Sequence, residues 1–278
     1  MFDLLSDQFA QRAILATFFA GIACSMVGVL VVTMRISFLG VCMSHAAFAG
    51  ALLGLVLSAN PMWLAIIASL IAAGALGPLA DRGDFSPDTA IGIVFSSAMG
   101  VSFLLLSIIP GPKTEALSLL WGSVLTVTTE SLRLLATVAA GSVLLISMFF
   151  KEIQTVIFNR ELAKTLGLPS TWVFYGILIL SGLTTTASLG AIGGLLVFSL
   201  IVNPAAAAYQ LTYSLKKMFV IAVIFGVASG WIGLFISWQL NLPTGALIII
   251  VSSVLFVLAN VFSPKRRARK MTFDEGVA

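Results

Sequence analysis

Nine apolar runs govern what this chain can fold into. They fall at residues 13–34, 37–58, 62–80, 88–109, 133–150, 171–189, 193–213, 218–239 and 244–262. Each is close to the roughly 20 residues that, at about 1.5 Å of rise per residue, cross the hydrocarbon of a bilayer. Turn chemistry marks the breaks: Asn60-Pro61, Asp81-Arg82-Gly83-Asp84, Pro110-Gly111-Pro112, Gly167-Leu168-Pro169 and Asn241-Leu242-Pro243. The runs lack the ten-residue alternation of a membrane barrel, so they read as helices. The expected fold is all-α, a polytopic membrane bundle of about nine transmembrane helices. One further apolar stretch, Leu117–Val127, is too short to span and reads as a re-entrant or interfacial helix.

Composition agrees. Of 278 residues, 59% are hydrophobic and only 9% are charged, a balance that no soluble domain of this size carries. The two cysteines, Cys24 and Cys42, both lie in apolar runs, so no disulfide framework is indicated. The N-terminus, MFDLLSDQF, is acidic where a cleavable signal would be basic. The net charge of +4 does not point to nucleic acid, because the basic residues gather at helix ends and in the tail.

Those basic residues set the orientation. With the KRRARK tail in the cytoplasm, nine spans put the N-terminus outside. Of the 15 Lys and Arg, twelve then lie inside: Arg35, Arg82, Lys151, Arg160, Lys164, Lys216, Lys217, Lys265, Arg266, Arg267, Arg269 and Lys270. Only Arg12, Lys113 and Arg133 lie outside, a pronounced positive-inside bias. Eight or ten spans would break this alternation. The expected domain plan is one transmembrane domain over 1–264 and a basic cytoplasmic tail over 265–278, in the inner membrane.

Glycine pairs four apart, at Gly50 and Gly54, Gly190 and Gly194, and Gly226 and Gly230, predict faces on which helix backbones approach closely.

Absent motifs exclude several functions. No GxxxxGK followed by Ser or Thr occurs, so the chain does not hydrolyse nucleotide itself. His45 is the single histidine, which rules out a serine–histidine–aspartate arrangement. No Asp, Glu, Lys or Arg falls mid-span, where ion-coupled carriers place their relays. A stand-alone secondary carrier is therefore the weaker alternative. No enzyme activity and no bound cofactor are expected.

His45 is a metal-ligand side chain at membrane depth, which marks it for function. Cys42 lies three residues before it on the same helical face, and thiolate and imidazole suit zinc or another late transition metal. The alternative is a buried interhelical hydrogen bond from His45, with Cys42 as core. Ser44, Ser96 and Asn203 are further candidates for a transport path. Pro204 removes one N–H from the seventh span and predicts a kink.

The longest cytoplasmic loop, KEIQTVIFNRELAKTLGLP, reads as one short amphipathic helix over about 153–167. Gly167 and Pro169 stop it. Phe158, Leu162 and Leu166 recur every four residues as an apolar stripe, which either lies on the membrane or docks into a partner.

Here the residues carry a resemblance. ELAKTLG, with Glu161, Ala163 and Gly167, resembles the E-x-A-x-x-x-G signature that ABC importer permeases present to their ATPase. SFLGVCMSHAAFAG (Ser37–Gly50) resembles the "GDALSHA-x-x-PG" region of permeases for zinc, manganese and iron(II). GGLLVFSLIVNPAAAA (Gly193–Ala208) resembles their "GALL-x-x-x-LL-x-x-PAATA" span. LNLPTGALIII resembles the "D-x-P-x-G" entry to their last helix, and PDTAIGI (Pro87–Ile93) the start of their fourth span. The chain departs from the family pattern at Val41 and Asn241, where the family carries Asp, at Ser123, where many members carry Asp, and at Ser96, where it often carries His or another polar residue.

The resemblance implies a vitamin B12-importer-like ABC permease fold. It implies the membrane-spanning subunit of an importer that moves a divalent metal, zinc or manganese, as cargo. It also implies a second permease copy, an ATP-binding subunit docking on Glu161–Gly167, and an extracytoplasmic solute-binding protein. A permease for a chelated metal or another small solute is the alternative.

Overall fold

The computed structural model describes residues 8–82, 86–109, 113, 114, 116 and 127–266. Eleven helices follow one another among these residues. They are α1 Gln8–Thr33, α2 Leu39–Val56, α3 Pro61–Arg82, α4 Pro87–Ile108, α5 Thr129–Met148, α6 Phe150–Phe158, α7 Arg160–Thr165, α8 Ser170–Ile192, α9 Gly194–Leu211, α10 Leu215–Leu240 and α11 Thr244–Val261. Nine are long and apolar enough to cross a membrane, all but α6 and α7. They coincide with the nine runs in the sequence. The Leu117–Val127 expectation lies, except for Val127, outside the described residues.

Local chemistry sets the boundaries. Ser86 caps α4 by accepting from the Thr89 N–H at 3.2 Å, and Pro87 occupies the first turn, where a missing N–H costs nothing. Thr128 caps α5 by accepting from the Ser131 N–H at 3.2 Å, which starts that helix four residues before the expected 133. Asn241 closes α10 in the left-handed region, at φ 52°, and Pro243 prevents continuation.

Two helices pack through small residues, as the glycine pairs predict. On α10, a Cβ at Gly226 would collide with Ser25 Oγ and with the Gly21 carbonyl 2.7 Å away, and one at Gly230 would press on Thr17 Cβ at 3.1 Å. On α2, Cβ atoms at Gly50 and Gly54 would strike Leu64 and Pro61 of α3. Gly190 and Gly194 behave differently. Gly193 adopts φ 87° between them, so one ends α8 and the other begins α9. They share no helical face, because the left-handed residue turns the chain from one span into the next.

The helices α1, α2, α8 and α9 form the interior. α1 packs on α5, α8, α9 and α10, whereas α2 packs on α3, α4, α8 and α9. Lipid supplies little hydrophobic drive between helices, so hydroxyl pairs help to hold them. Thr186 donates to Ser69 at 2.9 Å between α8 and α3, and Cys24 Sγ lies 3.3 Å from Ser188 Oγ between α1 and α8. At the other extreme, α4 has only 11% of its spanning window buried, against 72% for α2. One interior helix thus lies beside one open helix, and the histidine sits between them.

The loop after α5 departs from expectation. The single helix over 153–167 is two helices, α6 and α7, separated by Asn159 at φ −161° and ψ 113°. Asn159 breaks the helix because its side chain satisfies the backbone of the next one: Oδ1 accepts from the N–H groups of Glu161 at 2.9 Å and Leu162 at 3.0 Å. Gly167, at φ 76°, then ends α7: its N–H donates to Lys164 and the Leu168 N–H donates to Ala163, both at 3.0 Å.

Candidate transport path and coupling surface

His45 stands two turns into α2, about 9 Å along the axis from Leu39. It is half-buried where most of the helix is fully buried. Its Nδ1 lies 3.1 Å from the Val41 carbonyl oxygen one turn back. A carbonyl only accepts, so in the neutral imidazole Nδ1 carries the proton and Nε2 keeps the lone pair that a metal or a donor would meet. Phe95 of α4 meets the imidazole edge-to-face with centroids 4.9 Å apart, and meets Phe38 in the same manner at 5.1 Å. The ring is therefore held by its own backbone on one side and by an aromatic wedge on the other.

The neighbours differ in their aim. Cys42 is fully buried in the main core together with Met43. Ser44 is buried, and its hydroxyl donates to the Gly40 carbonyl at 3.0 Å. Ser96, next to Phe95, is exposed and donates to Gly92 at 2.8 Å, which leaves its lone pairs outward. Ser97 and Ser107 repeat this on α4, and Cβ atoms at Gly92 and Gly100 would meet nothing within 4 Å. Beside His45, then, α4 carries an open strip of Gly92, Ser96, Gly100 and Ser107, among the exposed apolar side chains of Ile93, Phe103 and Leu104. Of the sequence candidates, the structure brings His45 and Ser96 to one region through Phe95, and it turns Cys42 and Ser44 into the interior. Among the described residues no group of three His, Cys, Asp or Glu side chains could hold a metal. A single imidazole fits a site that an ion passes through better than one in which it resides.

Asn203 is engaged elsewhere. Its Nδ2 lies 3.1 Å from Ser199 Oγ, 3.0 Å from Ser252 Oγ and 3.0 Å from Ser253 Oγ. The Ser199 and Ser252 hydroxyls are themselves 2.8 Å apart. The amide braces α9 against α11 one residue before Pro204. Sequence reasoning missed Ser252 and Ser253, although two adjacent serines in an apolar span were the available signal. It also missed Phe95, which nothing in the sequence distinguishes from other core aromatics.

The α6–α7 segment has a different character. Phe158, Leu162 and Leu166 are exposed, Phe158 at 83%. Glu161 also faces outward, with Lys164 Nζ at 3.4 Å. Ala163 points inward and is fully buried. The Arg160 guanidinium lies over the Phe174 ring at 4.4 Å, tying α7 to α8. A short, capped helix with an apolar outer face, fixed to a long span by a cation–π contact, can pass a push from a docked partner into the bundle.

The chain compares with known proteins along nearly its whole length. Residues 6–263 match the family described as the ABC 3 transport family. The manganese transport system membrane protein MntC of Halalkalibacterium halodurans is 31% identical over 264 residues, 95% of this chain and 90% of that protein. The chelated iron transport system membrane protein YfeD of Yersinia pestis is 29% identical over 95% of this chain and 90% of its own. Among solved structures, PsaBC from Streptococcus pneumoniae in complex with Fab superposes with a TM-score of 0.85 at 29% identity, covering 97% of each chain. A metal-chelate type ABC transporter in an inward-facing conformation shares the fold at 14% identity, with a TM-score of 0.73. From these matches and the nine apolar spans among its described residues, the chain belongs to the ABC 3 transport family and is a multi-pass membrane permease of an ABC transporter.

Proposed function

We propose that this chain is the membrane-spanning subunit of an importer that moves a divalent metal ion, manganese or zinc, into the cytoplasm. The observation that carries this is the end-to-end match to permeases named for manganese transport, such as MntC. Two copies would enclose the path, with the His45 imidazoles and the open serine side of α4 facing it. A separate ATP-binding subunit would dock on Phe158, Glu161, Leu162 and Gly167, with Ala163 as the buried hinge side of that helix. A solute-binding protein would deliver the ion from outside. The N-terminus lies outside and the tail inside, in the cytoplasmic membrane, and the metal is cargo.

A chelated metal is the second reading. YfeD is named for chelated iron, and this chain has Val41, Ser123 and Asn241 where carboxylates would favour a bare hard ion. The deciding experiment is uptake of radiolabelled manganese by vesicles carrying the permease, its ATP-binding subunit and the solute-binding protein. Saturable uptake that is competed by zinc supports the bare-ion reading. Uptake only when the metal is presented as a chelate replaces it.

A further inference from the structure

An apolar groove of about 480 Å³ opens between α1, α5, α6 and α8, with Leu30, Leu145, Phe149, Trp172 and Ile177 among its lining. It follows α8 from Trp172 to Leu180, about 12 Å along the axis. Its flanks carry Leu144, Met148 and Trp172, all more than 60% exposed, so in a bilayer acyl chains surround it. An apolar groove left empty forfeits dispersion contacts on one side, and water gains no hydrogen bonds there.

One charge interrupts the apolar lining. Glu152, in the first turn of α6, is half-buried at the groove, and among the described residues its carboxylate has no hydrogen-bond or ion-pair partner. Lys151 beside it is exposed. An unpartnered half-buried anion selects a cation that can donate hydrogen bonds. The groove asks for a hydrocarbon tail and its rim for an ammonium.

We propose that this groove seats one acyl chain of a phospholipid with a primary-amine headgroup, phosphatidylethanolamine. The Glu152 carboxylate receives the ammonium, Lys151 meets the phosphate, and the Trp172 indole packs at the interface. The lipid then wedges α6 against α8, beside the helix on which an ATPase would dock. A choline headgroup carries three methyls in place of N–H groups and loses the hydrogen bonds to Glu152. The proposal rests on the membrane-spanning fold and not on the cargo.

The test is native mass spectrometry of the full-length chain with added dioleoyl phosphatidylethanolamine or dioleoyl phosphatidylcholine. The unaltered chain should prefer the ethanolamine lipid by about tenfold, the value of one charge-assisted hydrogen bond. Glu152→Gln should abolish that preference, bringing binding of the ethanolamine lipid down to that of the choline lipid. Gly176→Phe should lose both lipids. Gly176 lines the groove, and a Cβ there meets nothing within 4 Å, so a side chain at this position leaves the backbone unclashed and projects into groove volume. Gly74→Phe on α3, where a Cβ is equally free, should change neither. Equal binding of the two lipids by the unaltered chain, or full retention by Gly176→Phe, overturns the proposal.

Discussion

At the scale of single residues, His45 and Asn203 show two fates for a polar group in an apolar span. Asn203 spends its amide on three serine hydroxyls and becomes a brace. His45 spends one nitrogen on Val41 and keeps the other. Removing Nε2 should therefore cost transport more than folding. We expect His45→Ala and His45→Gln both to reduce metal uptake by at least about tenfold, in line with losses at metal-binding positions. Assembly, followed by size exclusion, should be unchanged. Normal uptake by the glutamine variant would show that the ring is structural. Cys42→Ser should cost uptake little, because Cys42 is buried in the core.

At the scale of elements, the α6–α7 segment and the α1–α10 crossing carry the sharpest expectations. Gly167 sits at φ 76° with open space around it, so any Cβ there is penalised by the backbone alone. Gly167→Ala should destabilise the end of α7 by about 1 kcal/mol. Gly167→Trp and Glu161→Lys should abolish uptake and uncouple ATP hydrolysis from it. Persistence of stimulated hydrolysis and of co-purification in both variants would move the docking surface elsewhere. The α1–α10 crossing responds to volume. Gly226→Leu would drive a side chain into Ser25 and the Gly21 backbone, and should cost about 3 kcal/mol or prevent folding. At Gly92 on α4 a Cβ meets nothing within 4 Å, and thermal unfolding should barely register Gly92→Ala.

At the scale of the whole molecule, orientation is the property to test. Positive-inside counting puts Lys113 outside and Lys164 inside, and both are exposed. In a chain lacking Cys24 and Cys42, a membrane-impermeant thiol reagent applied from outside should modify a cysteine at 113 and spare one at 164. The reverse pattern would invert the bundle and remove α7 from reach of a cytoplasmic ATPase.

The amino-acid sequence by itself determined the helical membrane bundle and the nine spans found among the described residues, because the length and polarity of an apolar run are local properties that a bilayer reads directly. It also determined several helix boundaries, since Pro87 at the start of α4, Gly167 at the end of α7 and Asn241-Leu242-Pro243 after α10 act within one turn. Gly226 and Gly50 were legible as close-packing positions for the same reason. The partners were not legible. That Cys42 faces the core while His45 stays half-open, and that Ser252 and Ser253 receive Asn203, depends on which helices lie beside α2 and α9. Helical spacing fixes a face but not its neighbour. The break at Asn159 was likewise hidden, because an asparagine continues a helix or caps a new one according to where its side chain finds a donor. Only the structure, in which Asn159 Oδ1 accepts from the Glu161 and Leu162 N–H groups while Arg160 ties α7 to Phe174 of α8, shows which of the two it is.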